Sequence, residues 1–484
     1  MIGHTWKRIN ARLMVATTRV LPFADAASEG LPLGQLLRLS LFQVSVGMAT
    51  VLLLGTLNRV MIVELSVPAL VVAAMIALPV LIAPFRALLG FRSDTYRSAL
   101  GWKRIPYLWF GSLWQMGGLA VMPFALLVLS GQQAVGPTWA GEVLAAMAFL
   151  MTGLGLHMTQ TAGLALASDR ATDETRPRVV ALLYVMFLLG MAVSAIVIGW
   201  LLRDFAPFTL VRVVQGAALV GIILNLIALW KQEKLAPMSR AERAAPRPQF
   251  RDAWADLMAG GTAGRLLAVV FLGTLAFNMQ DVLLEPYGGE VLGLSVSATT
   301  VLTAVWAMGA LAGFAIAGRA LLRGANTYRM AGNGLLIGLA AFATVIFAAP
   351  MQAPTLFFCG AALIGLGAGL FAVSTLTAAM TLAAGGTAGN GLALGAWGAA
   401  QATAAGLAIA IGGGVRDLVN HLALSGTWGE ALATPATGYS TVYHIEIAFL
   451  FVTLVILGPL VRHGVQGGRG APGQGRLGLA DFPT

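Results

Sequence analysis

In GLGLHMTQTAGLALASD, residues 153–169, one imidazole, His157, stands inside a run apolar enough to cross a membrane. An ionisable group at such depth marks a functional site by default. A neutral imidazole nitrogen is a good axial ligand for a five-coordinate metal held in a flat macrocycle. Gly153 and Gly155, just upstream, leave one helix face bare, so a flat ring can lie beside the imidazole. Gln160, one turn on, adds an amide whose carbonyl oxygen can also ligate such a metal. The competing reading is structural: a histidine bonded to a neighbouring helix, with the glycines serving close packing. His444, in GYSTVYHIEI, is a weaker ligand candidate, because its place beside Tyr439 and Tyr443 suits an aromatic belt. Gln43, Gln115, Gln160 and Gln401 lie in apolar runs and read best as bonds between helices, each contributing about 1 kcal/mol.

A second group of polar residues interrupts FNMQDVLLEPYGG, residues 277–289. Asp281 and Glu285 lie one helical turn apart on one face. A proton relay, an ion-pair latch and a helix end facing water all fit this spacing. There is no Walker loop, paired metal-ligand spacing or nucleophile elbow, and we expect no enzyme. The single cysteine, Cys359, excludes an intramolecular disulfide and a thiolate metal cluster.

The elements that must position these residues are membrane helices. Of the 484 residues, 58% are hydrophobic and 10% charged, where a soluble chain would carry about a quarter charged. Apolar runs of about 20 residues match a hydrocarbon core about 30 Å thick. Spans are read near 36–58, 67–89, 105–129, 139–166, 178–202 and 208–230, then near 265–284, 296–318, 328–349, 354–383, 389–412 and 440–461. No cleavable signal is expected ahead of the first.

The termini and even-numbered loops hold all but four of the 30 basic residues, the exceptions being Arg59, Arg203, Arg212 and Arg416. Both termini are therefore expected on the cytoplasmic side. The net charge of +10 follows this bias and points to a lipid membrane, with no nucleic acid as partner.

The chain thus divides into an N-terminal segment 1–35, six-helix halves 36–230 and 265–461, a charged cytoplasmic linker 231–264 and a flexible tail 462–484. Residues 5–20 suit an amphipathic helix lying on an anionic leaflet. The loop 413–439 is long enough for a short helix or a docking surface. Six plus six spans around a basic central loop is the plan of the major facilitator superfamily, whose halves are structural repeats. LSVPA (65–69) is echoed by LSVSA (294–298), and NRVMI (58–62) by QDVLL (280–284). GFRSD followed by GWKR (90–94, 101–104) is similar to a superfamily loop motif with a longer gap.

With that topology Asp281 lies roughly 24 Å along the seventh span, near the non-cytoplasmic rim, and Pro286 with Gly288 and Gly289 should end the helix. A midplane proton relay recedes. The echo sets Asn58 and Arg59 at the matching place in the first half, so Arg59 with Asp281 is the expected latch between halves. The alternative leaves both side chains solvated.

FQVSVGM (42–48), GTLNRVMIVEL (55–65), SALGWKRIPYLW (98–109), HMTQTAGLALASD (157–169), RPRVVALLY (176–184) and QDVLLEPYGGEVLGL (280–294) together resemble the PucC/LhaA family. So does the pattern around Gly438, Tyr443 and Glu446, and the likeness runs from about residue 30 to 462. It leans to the light-harvesting 1 branch.

The resemblance implies an assembly factor of the photosynthetic intracytoplasmic (chromatophore) membrane. Such a factor binds bacteriochlorophyll a, with a carotenoid as a further candidate, and delivers it to light-harvesting 1 α and β polypeptides around the reaction centre complex. Bacteriochlorophyll-synthesis enzymes and the membrane insertion machinery are the implied neighbours. A pigment carrier strengthens the ligand reading of His157. Two other classes stay open: a proton-coupled secondary transporter of a small amphipathic molecule using Asp281, Glu285 or Glu446, and a pigment-free chaperone of antenna helices.

Overall fold

The computed structural model describes residues 26–28, 30–81, 102, 104–129, 138–172, 175–233, 261–383, 390–426 and 428–467. The expected surface helix 5–20, most of the linker and of the loop motif at 90–104, and the tail beyond residue 467 lie outside them. Hydrocarbon offers no partner to backbone N–H and C=O groups, so spanning segments must satisfy them internally. The described residues accordingly form twelve helical segments.

In the first half these are α1 (Leu33–Glu64), α2 (Ala69–Leu81), α3 (Ile105–Leu129), α4 (Thr138–Arg170), α5 (Arg176–Leu201) and α6 (Pro207–Leu229). In the second they are α7 (Thr262–Glu290), α8 (Val296–Leu322), α9 (Thr327–Ala348), α10 (Pro354–Ala383), α11 (Asn390–Leu424) and α12 (Ala436–Gly467). Eleven are long and apolar enough to cross a membrane; α2, as described, is shorter. The all-helical, two-by-six architecture expected from the sequence is present. The loop after α11 carries one turn of 3-10 helix at Glu430–Leu432.

Lipid tails are as apolar as leucine, so helices associate through close van der Waals approach rather than through water exclusion. Glycine makes that approach. A Cβ on Gly118 of α3 would lie 2.6 Å from the Ala148 carbonyl of α4. One on Gly369 of α10 would lie 2.6 Å from the Ala310 carbonyl of α8. On Gly334 of α9 it would meet the Gly367 carbonyl of α10 at 2.7 Å.

The halves meet along three seams, α1 with α7, α2 with α11 and α5 with α8. Polar bonds across them gather at the end of the bundle away from the termini. Thr56 and Thr300 hydroxyls are 3.0 Å apart, and Asn58 Nδ2 donates to the Val282 carbonyl at 2.9 Å. Asp417 of α11 accepts from the Leu70 N–H at 2.7 Å, so a carboxylate of one half caps the free N-terminus of a helix in the other.

The four basic residues on that side each have an anchor. Arg203 and Arg212 lie over the rings of Trp200 and Phe208, at 5.5 and 4.9 Å. Arg416 pairs with Glu290 and Asp417 and sits 4.7 Å from the Tyr439 ring centre. Arg59 pairs with Glu64.

Two outcomes follow for the full chain in detergent. Gly369→Val should cost about 1–3 kcal/mol by overpacking and lower the thermal midpoint. Gly458→Val should leave it unchanged, because nothing lies within 4 Å of the Gly458 position. Asp417→Ala should cost about 1–2 kcal/mol through the lost cap, and Asp417→Asn should recover part of that because its amide oxygen still accepts.

Candidate functional site

His157 lies on α4 facing a pocket of about 190 Å³ walled by α1, α2, α4 and α5 of the first half. α4 presents Phe149, Gly153, Leu156, His157 and Gln160 to it, a stripe at 3–4 residue spacing that one helix face must produce. Opposite stand Leu53 and Leu54 of α1, Ile76 and Pro79 of α2, and Phe187 of α5. Thr50, His157 and Gln160 are its polar side chains, in a lining otherwise apolar.

The donor set suits the magnesium of a macrocycle. An imidazole and an amide one turn apart share the pocket wall, and apolar side chains surround them, as an apolar ring requires. The two glycines beside His157 do different work from that expected. Gly155 turns away from the pocket and packs on the α3 backbone, where an added Cβ would lie 2.6 Å from the Gly111 carbonyl and 2.8 Å from Gln115 Cα. Gly153 lines the pocket, yet its bare face is taken by Pro79, 2.5 Å from where a Cβ would stand. The face thought to be open to a ring is covered by helices, because small residues invite the nearest backbone first.

His444 is exposed on α12, in the second half and outside this pocket, with Nδ1 2.7 Å from the Ser440 carbonyl. We assign it no ligand role. Gln115 acts as expected of a buried amide, donating across to Ser45 Oγ of α1 at 3.0 Å.

The acids of α7 correct three expectations. The helix does not end at Pro286. It tightens to a 3-10 turn over Met279–Val282 and resumes over Leu284–Glu290. Pro286 falls in the first turn of the resumed helix, where its missing N–H costs nothing. Glu285 is not a solvated rim residue: it is buried, accepts from the Thr303 hydroxyl, and lies against the bare backbone of Gly55.

Arg59 does not latch onto Asp281. It binds Glu64 at 2.5 Å and donates to the Leu294 carbonyl at 3.0 Å. Asp281 accepts instead from Asn278 at 2.7 Å and Gln280 at 2.5 Å, both on its own helix. The 3-10 turn rotates Asp281 relative to an unbroken helix, and the position beside Arg59 goes to the backbone of Gly289. α1 is itself irregular there, with π-helical turns over Val51–Leu57 and Val60–Glu64, a geometry frequent at functional sites.

Sequence reasoning missed the bonding of Asn58 and Thr56 to the second half, the Asp417 cap and most of the pocket wall. Phe149 was within reach, since it shares the His157 stripe. Apart from Thr50, the α1, α2 and α5 residues carry no signal beyond being apolar.

Residues 56–465 match the family described as PUCC protein. A protein of Rhodobacter capsulatus, called an uncharacterized protein in the puhA-bchM intergenic region, is 66% identical over 96% of this chain and 97% of its own length. Protein PucC of Rhodovulum sulfidophilum is 56% identical over 84% of this chain and 90% of its own. Among solved structures, a bacterial homologue of the human lysosomal transporter Spinster, inward-facing and unoccupied, has a TM-score of 0.66 at 15% identity. That likeness covers 91% of this chain and 98% of the other, and concerns the fold alone, a bundle like that of major facilitator transporters. A multi-pass chain of this fold, alike in sequence to PucC almost from end to end, belongs to the PucC family of photosynthetic bacterial membrane proteins.

Proposed function

We propose that this protein is a non-enzymatic assembly factor of the light-harvesting 1–reaction-centre apparatus. It takes bacteriochlorophyll into the pocket of α1, α2, α4 and α5 and gives it up to antenna α and β polypeptides. The observation that carries the reading is the placing of His157 and Gln160 together on an apolar wall in a PucC-family chain. His157 would hold the pigment magnesium and Gln160 would orient it from one turn away. When bound, the pigment supplies a Lewis-acidic centre that one nitrogen base can occupy.

The protein's own part is to bind, to exclude water and to let go. Three polar side chains in an apolar wall give one directional contact within a greasy cleft. That is enough to orient a ligand and weak enough for a competing histidine on an antenna helix to displace it. The Leu53, Leu54 and Phe187 side chains would exclude water from a magnesium held at His157.

The test is purification of the tagged full chain from phototrophic membranes, with a near-infrared spectrum, pigment extraction and identification of copurifying chains. His157→Ala should lose most of the pigment while keeping the thermal midpoint, and Gln160→Leu should lower retention about tenfold, as loss of a supporting contact does. Unchanged pigment in His157→Ala would remove that residue from the site. A colourless wild-type protein carrying α and β polypeptides would select a pigment-free chaperone.

A further inference from the structure

The break in α7 assembles a polar cluster that the pigment pocket does not use. At the 3-10 turn the Gln280 N–H leaves the helical ladder and donates to Glu446 Oε1 of α12 at 2.7 Å. The Gln280 side-chain amide reaches Asp281 Oδ1 at 2.5 Å, and Asn278 Nδ2 reaches Asp281 Oδ2 at 2.7 Å. Glu446 is wholly buried and Gln280 is 2% exposed. Among the described residues, Glu446 Oε2, Gln280 Oε1 and the Tyr443 hydroxyl, one turn before Glu446, are buried without hydrogen-bond partners.

Gln280 thus ties together two carboxyl groups, Glu446 wholly buried and Asp281 half-buried. The cations nearby are committed elsewhere: Arg59 of α1 to Glu64, and Arg416 of α11 to Glu290 and Asp417. The other cationic side chains described on α7, α9, α11 and α12, namely Arg265, Arg329, His421 and His444, are exposed, and the buried titratable groups beside the cluster bring no positive charge. On α7 these are Glu285, bonded to Thr303, and Tyr287, bonded to the Val345 carbonyl of α9. On α12 they are Tyr439, bonded to Glu290, and Tyr443. The α2 and α10 segments contain no charged residue. A second anion at Glu446, buried away from solvent beside a carboxylate and with no cation to compensate it, is too costly to persist.

Chemistry selects the compensating charge. Both oxygens of Asp281 already accept amide N–H groups, which favour its ionised form and turn positive hydrogens toward any metal ion. Glu446 has one free oxygen, and a proton there converts it from an acceptor without a donor into a donor among unused acceptors. We propose that Gln280, Asp281 and Glu446 form a proton-binding site in which Glu446 carries one proton beside an ionised Asp281. Loss of that proton sets like charges on α7 and α12 and weakens the seam between them at the α7 break. The site lies in the second half, apart from the pocket, and its occupancy needs no pigment.

Infrared difference spectroscopy of the full chain in nanodiscs, titrated in H₂O and D₂O, reads this directly. A protonated-carboxyl stretch should be present at neutral pH, shift in D₂O, be lost in Glu446→Gln, and be the same in sodium and choline buffers. In Asp281→Asn the band should remain but vanish at a pH lower by about one unit or more, because a like charge that favoured the proton is gone. This arm needs no substitution at Glu446 and stands if Glu446→Gln fails to fold. Absence of the band in the wild type, its survival in Glu446→Gln, or an unchanged midpoint in Asp281→Asn would overturn the proposal. A band that appears only when sodium is withdrawn would assign the site to a metal cation and equally overturn it.

Discussion

Bare backbone against bare backbone is the contact on which the rest of this molecule depends. Without a hydrophobic drive between helices in lipid, dispersion at close range must hold the bundle, and it falls off over a fraction of an ångström. Gly47 of α1 lies against the Phe187 carbonyl of α5, and Gly190 of α5 lies against Val44 of α1, so each helix gives room to the other. The same device creates the chemistry. Glu285 can be buried at the α1 seam because Gly55 has no side chain, and the pocket narrows at Gly153 because Pro79 fits there.

Close packing leaves polar groups few places, and they gather where two helices lose regularity together. α1 widens to π-helical turns over Val51–Leu57 while α7 tightens to a 3-10 turn over Met279–Val282. An irregular turn frees backbone groups that need partners, and those partners come from the other half. Asn58 meets the Val282 carbonyl and Arg59 meets the Leu294 carbonyl. Arg59 and Arg416, which run against the charge bias of the loops, are there because they complete such junctions.

The pocket and the α7 break divide the molecule's polar chemistry between its halves. The first half offers an imidazole and an amide in an apolar cleft. The second half keeps its carboxylates on broken backbone and beside arginines at the seams. A cleft free of carboxylates imposes little desolvation cost on an apolar ligand, while the acids control how the helices around them fit.

The sequence by itself determined the solvent of this protein, its twelve spans, its two halves and its family. Each of these rests on a summed or local quantity: hydropathy over about 20 residues, charge counted by loop, motifs read along the chain. His157, Gln160 and Gly153 were also legible as neighbours, since helical spacing puts them on one face whatever else the fold does. Which atoms meet across helices was decided only by the tertiary structure. Gly155 went to α3 rather than to the pocket, Glu285 went inside, and Arg59 took Glu64 and a carbonyl in place of Asp281. The physical reason is that a half-turn of 3-10 or π geometry rotates every later side chain by tens of degrees. Such a turn is stabilised by partners far along the chain, on α8, α11 and α12, which no local pattern records.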